Sequence, residues 1–587
     1  MNLKDLTAKI LGYNGPPALN TFTLDETEDE QLLASDGDIQ GDVVTGKNPR
    51  RVVKKPKKVS DLGHFKNLSE EKRQWKIQRD LDKNRKRIEE LFHLPLNKDV
   101  VVREFILATQ PTVRAFLVFI ESMADKQTIN NFILQPLMLL SNLDRDEGPE
   151  LNICRKILQS YLPSNQVREL TDFKEVLSEV TVGSTVIFFD GCEWAIAVET
   201  KGFAFRSVEA AKTEQVVQGP QEGFVENIRS NISLIRKIIH SENLITEFLE
   251  VGERNKTNLA IMYLADLANP KLVKEVKKRI TQIKTDYIPE TGILEEMIED
   301  HPFSLIPQTI KTERPDRVTS MLVEGKVAIL VDNNPFVMLV PAFFFDFLHS
   351  PEDHYIRFPY GLWLRIIRIA AIFITLLLPA FYVAIATFHQ EMIPTDLLLA
   401  ITASKERVPF PTIVEMLLME FSFELVREAG VRVPGVIGPT LGIVGTLILG
   451  QAAVAANIVS PVLIIIVAVT GLSSYAIPNY NIAFGFRFMR FFFIFLAAVL
   501  GFFGISTGLF VLLCTVVSMK SFGVPFFAPI APRTGPSYDL IVRHPEWNQE
   551  LRPDYLQTLD VRRQPNISRK WSRGLSSQNP DNERKKH

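Results

Sequence analysis

Four ionisable side chains share one face of a helix predicted for the segment PTIVEMLLMEFSFELVREAG (411–430). At about 100° per residue, Glu420, Glu424, Arg427 and Glu428 fall within one sector of about 100°, and the Phe, Met and most Leu side chains fall elsewhere. Such a helix lies at a membrane interface or lines a wet vestibule, where its charges can concentrate or select ions. The four residues are therefore candidates for a vestibule or interface site.

A second candidate site lies in the uncharged run between Arg432 and Arg487, which is long enough for two helices, 436–456 and 461–477. Small residues cluster on one side of the first helix, as close helix packing requires: Gly438, Gly442, Gly445, Ala452, Ala453 and Ala456. The opposite side carries the candidate pore-lining residues: Thr440, Val444, Leu447, Gln451 and Val454.

In a pore shared by several copies of the chain, Val444 and Leu447 would form a dewetting constriction and Gln451 a polar ring. The alternative is that this face simply meets lipid. Burying Gln451 in lipid is unfavourable, which favours the pore.

No catalytic, metal or cofactor site is predicted. The chain contains no GxxxxGK[ST], GxGxxG, HExxH, GxSxG or EF-hand pattern, and its nine histidines do not cluster. We therefore expect a protein that is not an enzyme and needs no cofactor.

Four membrane-spanning helices are predicted, at 369–388, 436–456, 461–477 and 491–519, within a transmembrane domain of residues 353–520. Segment 411–430 would be a fifth if it is re-entrant. Segment 389–432 has seven acids and four bases, whereas the tail after Met519 has twelve bases and seven acids, so both termini are expected in the cytosol. The basic sequence RFMR (487–490) conflicts with this topology, which places it outside.

The region before the membrane domain is expected to be α+β and to contain two similar units in tandem, 76–218 and 219–352. TVIFFDGCEWAIAV (185–198) and VAILVDNNPFVMLV (327–340) both look like hairpins with turn residues at their centre, offset by 142 residues. Related strand-helix segments begin at Thr112 and Thr257, offset by 145 residues. An amphipathic helix predicted over 219–239 joins or packs the two units.

Both ends of the chain are compositionally biased. Residues 1–75 combine an acidic block with the basic run GKNPRRVVKKPKK (46–58) and are predicted to be a disordered tail. Because the basic run has no interleaved aromatic residues, we expect a tail that is solvated or contacts lipid headgroups, and no nucleic-acid partner. Residues 521–587 are predicted to be a basic cytosolic tail.

Several long motifs, in order, resemble the A subunits of GerA-type nutrient germinant receptors, over roughly residues 87–564. They are GPQEGFVENIRSNISLIR (219–236), PFP with the downstream acidic helix (409–434), GIVGTLILGQAAVAANIVSP (442–461), SFGVPFFAP (521–529) and RPDYLQTLDVRRQ (552–564). The resemblance implies a protein of the spore inner membrane that works with a transporter-like B subunit and a lipoprotein C subunit. It also implies a homo-oligomer that conducts ions on germination.

Two other functions stay open at this point. A secondary transporter or permease would transport substrate alone, although the chain lacks paired broken helices. A non-conducting scaffold for the B and C subunits would use the Glu420, Glu424 and Glu428 face for docking.

Overall fold

The computed structural model describes residues 75–108, 112–139, 157, 162, 166–202, 211, 213–432, 445, 448–534 and 542–564. The predicted tail 1–75, except for Trp75, and residues 565–587 of the predicted basic tail lie outside this range. The described chain forms two compact units. The first unit contains the described residues before 203 together with Arg229–Phe248. The second unit contains the described residues of Val208–Ile228 and those from Leu249 onward.

The first sheet, which lies in the first unit, has five antiparallel strands in the order β1-β2-β4-β5-β3. Its elements are α1 (Leu81–Leu91), β1 (Val100–Ile106), β2 (Arg114–Ile120), a helical stretch of Lys126–Thr128, Ile129–Leu134 and Gln135–Leu139, β3 (Val167–Leu170), α2 (Phe173–Thr181), β4 (Thr185–Phe189) and β5 (Ala195–Val198). Alternate residues of β2 enter two cores: Phe116 packs with α1 and α2 on one face, and Leu117 packs with Ile133 on the other.

The second sheet repeats this topology, with the order β6-β7-β9-β10-β8. Its elements are α3 (Ile228–Ile238), β6 (Leu244–Val251), β7 (Thr257–Leu264), α4 (Pro270–Thr281), α5 (Thr291–Ile298), β8 (Ile310–Thr312), α6 (Pro315–Val323), β9 (Val327–Val331) and β10 (Val337–Val340). Both predicted hairpins are present, and their turns contain Gly191 and Asn333 at positive φ. The identical order of five strands is the structural form of the internal repeat.

Glu299 lies directly after α5, close to other acidic residues. Its pKa is raised to about 8, mainly by burial and secondly by repulsion from Glu295. The folded protein therefore keeps a proton that the unfolded chain releases near its ordinary pKa, so stability falls as pH rises through this interval. We expect Glu299→Gln to remove this loss. Its thermal midpoint should match that of the wild type near about pH 4 and exceed it modestly near about pH 9, because Glu299 is only partly buried. An equal difference at both pH values would contradict the assignment.

After the second sheet the chain becomes helical. The helices are α7 (Glu352–Tyr355), α8 (Phe358–Thr387), α9 (Thr395–Lys405), α10 (Thr412–Arg432), α11 (Pro461–Tyr475) and α12 (Tyr480–Ser518). Among the described residues, α8 and α12 are long and apolar enough to cross a membrane, and α11 is a shorter apolar helix. The predicted count of four crossings is thus not confirmed. Of the predicted helix 436–456, Gly445 and 448–456 are described, and 448–455 is helical.

The prediction of a single helix over 491–519 is wrong, because α12 begins at Tyr480 and reverses at Gly501. Gly501 has φ 59° and ψ −138°, far from helical values. A Cβ added at Gly504 would lie 2.2 Å from the carbonyl oxygen of Leu496, and one at Gly508 would lie 2.8 Å from Leu496 Cδ1. In a straight helix, Leu496 and Gly504 would lie about 12 Å apart along the axis, so these contacts require the chain to reverse direction between them. α12 is therefore a helical hairpin with a first arm before Gly501 and a second arm after it, each about 25–30 Å long.

The two ends of the helical bundle can be identified from their contacts. At the end we call proximal, a Cβ on Gly485 would lie 2.3 Å from the Leu305 carbonyl oxygen of the second αβ unit. At the distal end, the ring of His389, just after α8, stacks on Phe502 beside the hairpin turn, with centroids 4.7 Å apart. Lys405 lies over the ring of Tyr382, near the distal end of α8, and donates to Thr412 at the start of α10. The helix α10 therefore runs from the distal end toward the proximal end.

The C-terminal segment packs against the second αβ unit after the second arm returns to the proximal end. Short strands β11 (Lys520–Ser521) and β12 (Val524–Pro525) are followed by the 3₁₀ turns Glu546–Asn548 and Asp554–Leu556. Tyr555 packs edge-on against Phe343, and Arg552 Nε donates to the Val323 carbonyl (3.0 Å). The part of the predicted tail up to Gln564 therefore includes packed structure as well as basic charge.

Candidate functional site

The predicted charged face of 411–430 lies on α10, and it turns toward the first arm of α12. Arg487 Nη1 donates to Glu424 Oε2 (3.1 Å), and Arg490 Nη2 donates to Glu424 Oε1 (3.0 Å). Arg490 Nη2 also lies 2.9 Å from Glu420 Oε2. Glu424 is thus shared by two arginines, and Arg490 is shared by two glutamates.

These charges are deeply buried. The side chains of Glu420 and Arg490 are 0% exposed, that of Arg487 is 6% exposed and that of Glu424 is 25% exposed. Hydrogen bonding within the group is incomplete, since neither carboxylate oxygen of Glu420 meets hydrogen-bond geometry despite the short contact, and Arg490 Nε and Nη1 also lack partners. We call Glu420, Glu424, Arg487 and Arg490 the ion-pair cluster.

Arg427, the third predicted residue of the face, joins α10 to the end of α11. Its Nη2 donates to Ser474 Oγ (2.6 Å), and its guanidinium lies over the ring of Tyr475 at 4.4 Å. It also lies 3.7 Å from Glu424. The fourth predicted residue, Glu428, is exposed, one helical turn beyond Glu424.

The described pore-lining candidates lie on the surface of the chain or close to it. Gln451 is exposed and Val454 is half-buried, whereas Thr440, Val444 and Leu447 lie outside the described residues. Of the predicted packing glycines, Gly438 and Gly442 also lie outside them. Gly445 faces α10, where an added Cβ would lie 3.5 Å from Val426 Cγ1. The structure therefore brings two of the predicted vestibule residues, Glu420 and Glu424, together with α12 and leaves the Gln451 face uncovered.

Sequence reasoning missed the arginine half of the cluster. Arg487 and Arg490 appeared only as a conflict with the positive-inside rule. A usable signal was present, since two arginines three residues apart match two glutamates four residues apart on helical faces. The partner helix could not be inferred, because the pairs join residues more than 60 positions apart.

A second buried charge group anchors α8 at its proximal end. Asp353 accepts hydrogen bonds from Arg368 Nη1 (2.7 Å to each oxygen) and from Arg365 Nε (3.2 Å), and its carbonyl accepts from Arg543. Nearby, the hydrogen bond between His354 and Glu546 (2.7 Å) lowers the pKa of Glu546. This group ties α7, the start of α8 and the C-terminal segment together. In the part of the chain that the structure describes, no group of three His, Cys, Asp or Glu could hold a metal ion.

Comparisons with known proteins point to one family. The family model described as Bacillus/Clostridium GerA spore germination protein matches residues 86–555. Spore germination protein KA of Bacillus subtilis (strain 168) is 41% identical over 470 residues, which cover 80% of this chain and 85% of that protein. Spore germination protein GerLA of Bacillus cereus is 36% identical over 463 residues, which cover 79% and 93%.

A solved structure also matches: the N-terminal domain of the A subunit of the Bacillus megaterium spore germinant receptor GerK3. It is 30% identical, covers 46% of this chain and 97% of that chain, and has a TM-score of 0.35.

Proposed function

Because the chain belongs to the Bacillus/Clostridium GerA family of spore germination proteins, we propose that it is the A subunit of a spore nutrient germinant receptor. In this proposal it acts in the spore inner membrane, with cytosolic termini, as an oligomeric nutrient-gated ion channel or signal-transducing subunit. Its partners are the B and C subunits, membrane lipids and further copies of itself.

The membrane placement is supported by exposed aromatic side chains at the proximal end of the helical bundle. Tyr360 and Trp363 begin α8, Tyr475 ends α11 and Tyr480 begins α12, and each is more than 60% exposed. Tyr and Trp at this position are typical of the membrane–water interface. With this level as the cytosolic boundary, Arg490 lies about 15 Å along the first arm, near the middle of the bilayer.

The channel role rests on one observation, the uncovered Gln451 on an otherwise apolar helical segment. A polar amide is poorly placed in lipid and well placed in a water-filled passage. Gly450 and Ala453, on other faces of the same segment, are buried within the chain. The uncovered face can then meet the same face of other copies around a central pore, with Val444 and Leu447 as its constriction.

Widening this constriction should make the channel leak without any nutrient. We expect Leu447→Ala, and similarly Val444→Ala, to raise potassium release from protein-containing, potassium-loaded vesicles by about tenfold or more, because a wider apolar constriction stays wet. The matched control is Leu472→Ala, which removes the same atoms from an exposed site on α11. If correctly inserted Leu447→Ala protein releases potassium at the wild-type rate, the assigned pore face is wrong.

The two alternatives give different results in the same vesicles. A permease would take up a nutrient without any channel-like potassium release, and a scaffold would show neither activity. For the scaffold, reversing the charge of Glu428 would block assembly with the B and C subunits and leave conductance unchanged.

A further inference from the structure

We propose that the ion-pair cluster is a clamp that holds α10 against the first arm of α12 and thereby keeps the candidate pore helix closed. This inference rests on the proposed channel function and adds its regulation. It assigns Arg487 and Arg490 a role that follows from their contacts with Glu420 and Glu424.

Stability alone does not account for these charges. Ionisable groups near the middle of a bilayer are costly, and a buried ion pair is often no more stable than well-packed apolar side chains of similar volume. The free-energy cost of burying these charges is higher here, because Glu420 and Arg490 are fully buried and have polar atoms without hydrogen bonds. Buried pairs of this kind are best attested where they fix a register or act in a switch.

The position of α10 connects the cluster to the pore. α10 ends at Arg432, immediately before the segment predicted to form the pore helix. On the face of α10 beside the charges, Phe423 and Val426 pack toward Leu449 and Gly450 of that segment, around an apolar cavity of about 30 Å³. A movement of α10 therefore displaces the pore helix both through the chain and through side-chain packing.

Glu424 has a second possible partner, Arg427, on its own helix. Arg427 lies 3.7 Å from Glu424 on the same helix and is held by Ser474 and Tyr475 of α11. If α10 separates from α12, Glu424 keeps Arg427 as a partner. In this proposal the clamp has two discrete states. In one state Glu424 pairs with the arginines of α12, and in the other it pairs with Arg427 of α10; a switch requires two such states.

The test uses the full-length protein in potassium-loaded vesicles without nutrient. We expect Glu424→Gln and Arg487→Gln each to raise basal potassium release about tenfold. The double variant Glu424→Gln with Arg487→Gln should release potassium no faster than the faster single variant, because both changes break the contact between Arg487 and Glu424. The control Glu406→Gln, at an exposed acid between α9 and α10, should not change basal potassium release. A leak caused by misfolding would instead grow in the double variant, because independent destabilising changes add.

The outcomes separate the clamp from the channel. If the single variants release potassium at the wild-type rate while Leu447→Ala leaks, the clamp is wrong and the channel stands. If the single variants leak and their effects multiply in the double variant, the two side chains do not act through their pairing and the clamp is also wrong. If no variant releases potassium, including Leu447→Ala, the channel function fails and the clamp fails with it.

Discussion

Replacing Asp353 with alanine will prevent the folded protein from accumulating, because two buried arginines, Arg365 and Arg368, then lose the carboxylate that they share. The side chain of Asp353 is fully buried, and those of Arg365 and Arg368 are 2% and 11% exposed. Removing one partner of a buried ion pair costs about 3–5 kcal/mol, a large part of the 5–15 kcal/mol that typically separates folded from unfolded domains.

The measurement is the amount of full-length protein in isolated membranes, followed by the thermal midpoint of whatever can be purified. Asp396→Asn is the control, since Asp396 is an exposed acid at the start of α9. We expect Asp353→Ala to reduce the amount at least several-fold and the control to leave it unchanged. Wild-type amounts and an unchanged midpoint for Asp353→Ala would show that the arginines find other partners.

Gly504→Ala will destabilise the α12 hairpin, although alanine favours a helix more than glycine does. The added methyl would lie 2.2 Å from the backbone carbonyl oxygen of Leu496 on the other arm, where no side-chain rotation can relieve the overlap. The arms must separate, and overpacking of this kind costs about 1–3 kcal/mol. A lower thermal midpoint of the detergent-purified protein is the expected result.

Gly450→Ala is the matched control for this change. Gly450 is also a buried helical glycine, but its added methyl would lie 3.5 Å from Ile464 Cγ2, an ordinary contact. It should therefore leave stability unchanged or raise it by up to about 1 kcal/mol through helix propensity. If Gly504→Ala behaves like Gly450→Ala, the two arms do not pack as closely as described.

Features set by short stretches of sequence could be predicted well. The hairpins at 185–198 and 327–340 are encoded by apolar strands flanking Asp190-Gly191 and Asp332-Asn333, residues that tolerate the positive φ seen at Gly191 and Asn333. Their regular offset also predicted the repeat that both sheets display. The helix predicted over 219–239 begins later, at Ile228, because an apolar pattern does not define a helix start.

The reversal at Gly501 could not be read from periodicity, since residues 491–519 form one unbroken uncharged stretch. Length was the available signal: from Tyr480, a straight helix of 39 residues would be about twice as long as a bilayer core is thick. The ion-pair cluster was half predicted. Glu420 and Glu424 stand out on their own helix, but their partners are set by packing of α10 against α12, which no local pattern records.

The hairpin in α12 also bears on how the polypeptide is inserted during synthesis. The charged residues of the two arms are Arg487 and Arg490 on the first arm. No charge follows Arg490 within the arms, and the turn at Gly501 offers no hydrophilic loop that must be carried through the lipid. In the proposed membrane placement, both arms can therefore enter the lipid together from the ribosome's side. Deleting them as a pair would leave the orientation of every earlier helix, and the side on which the chain ends, unaltered.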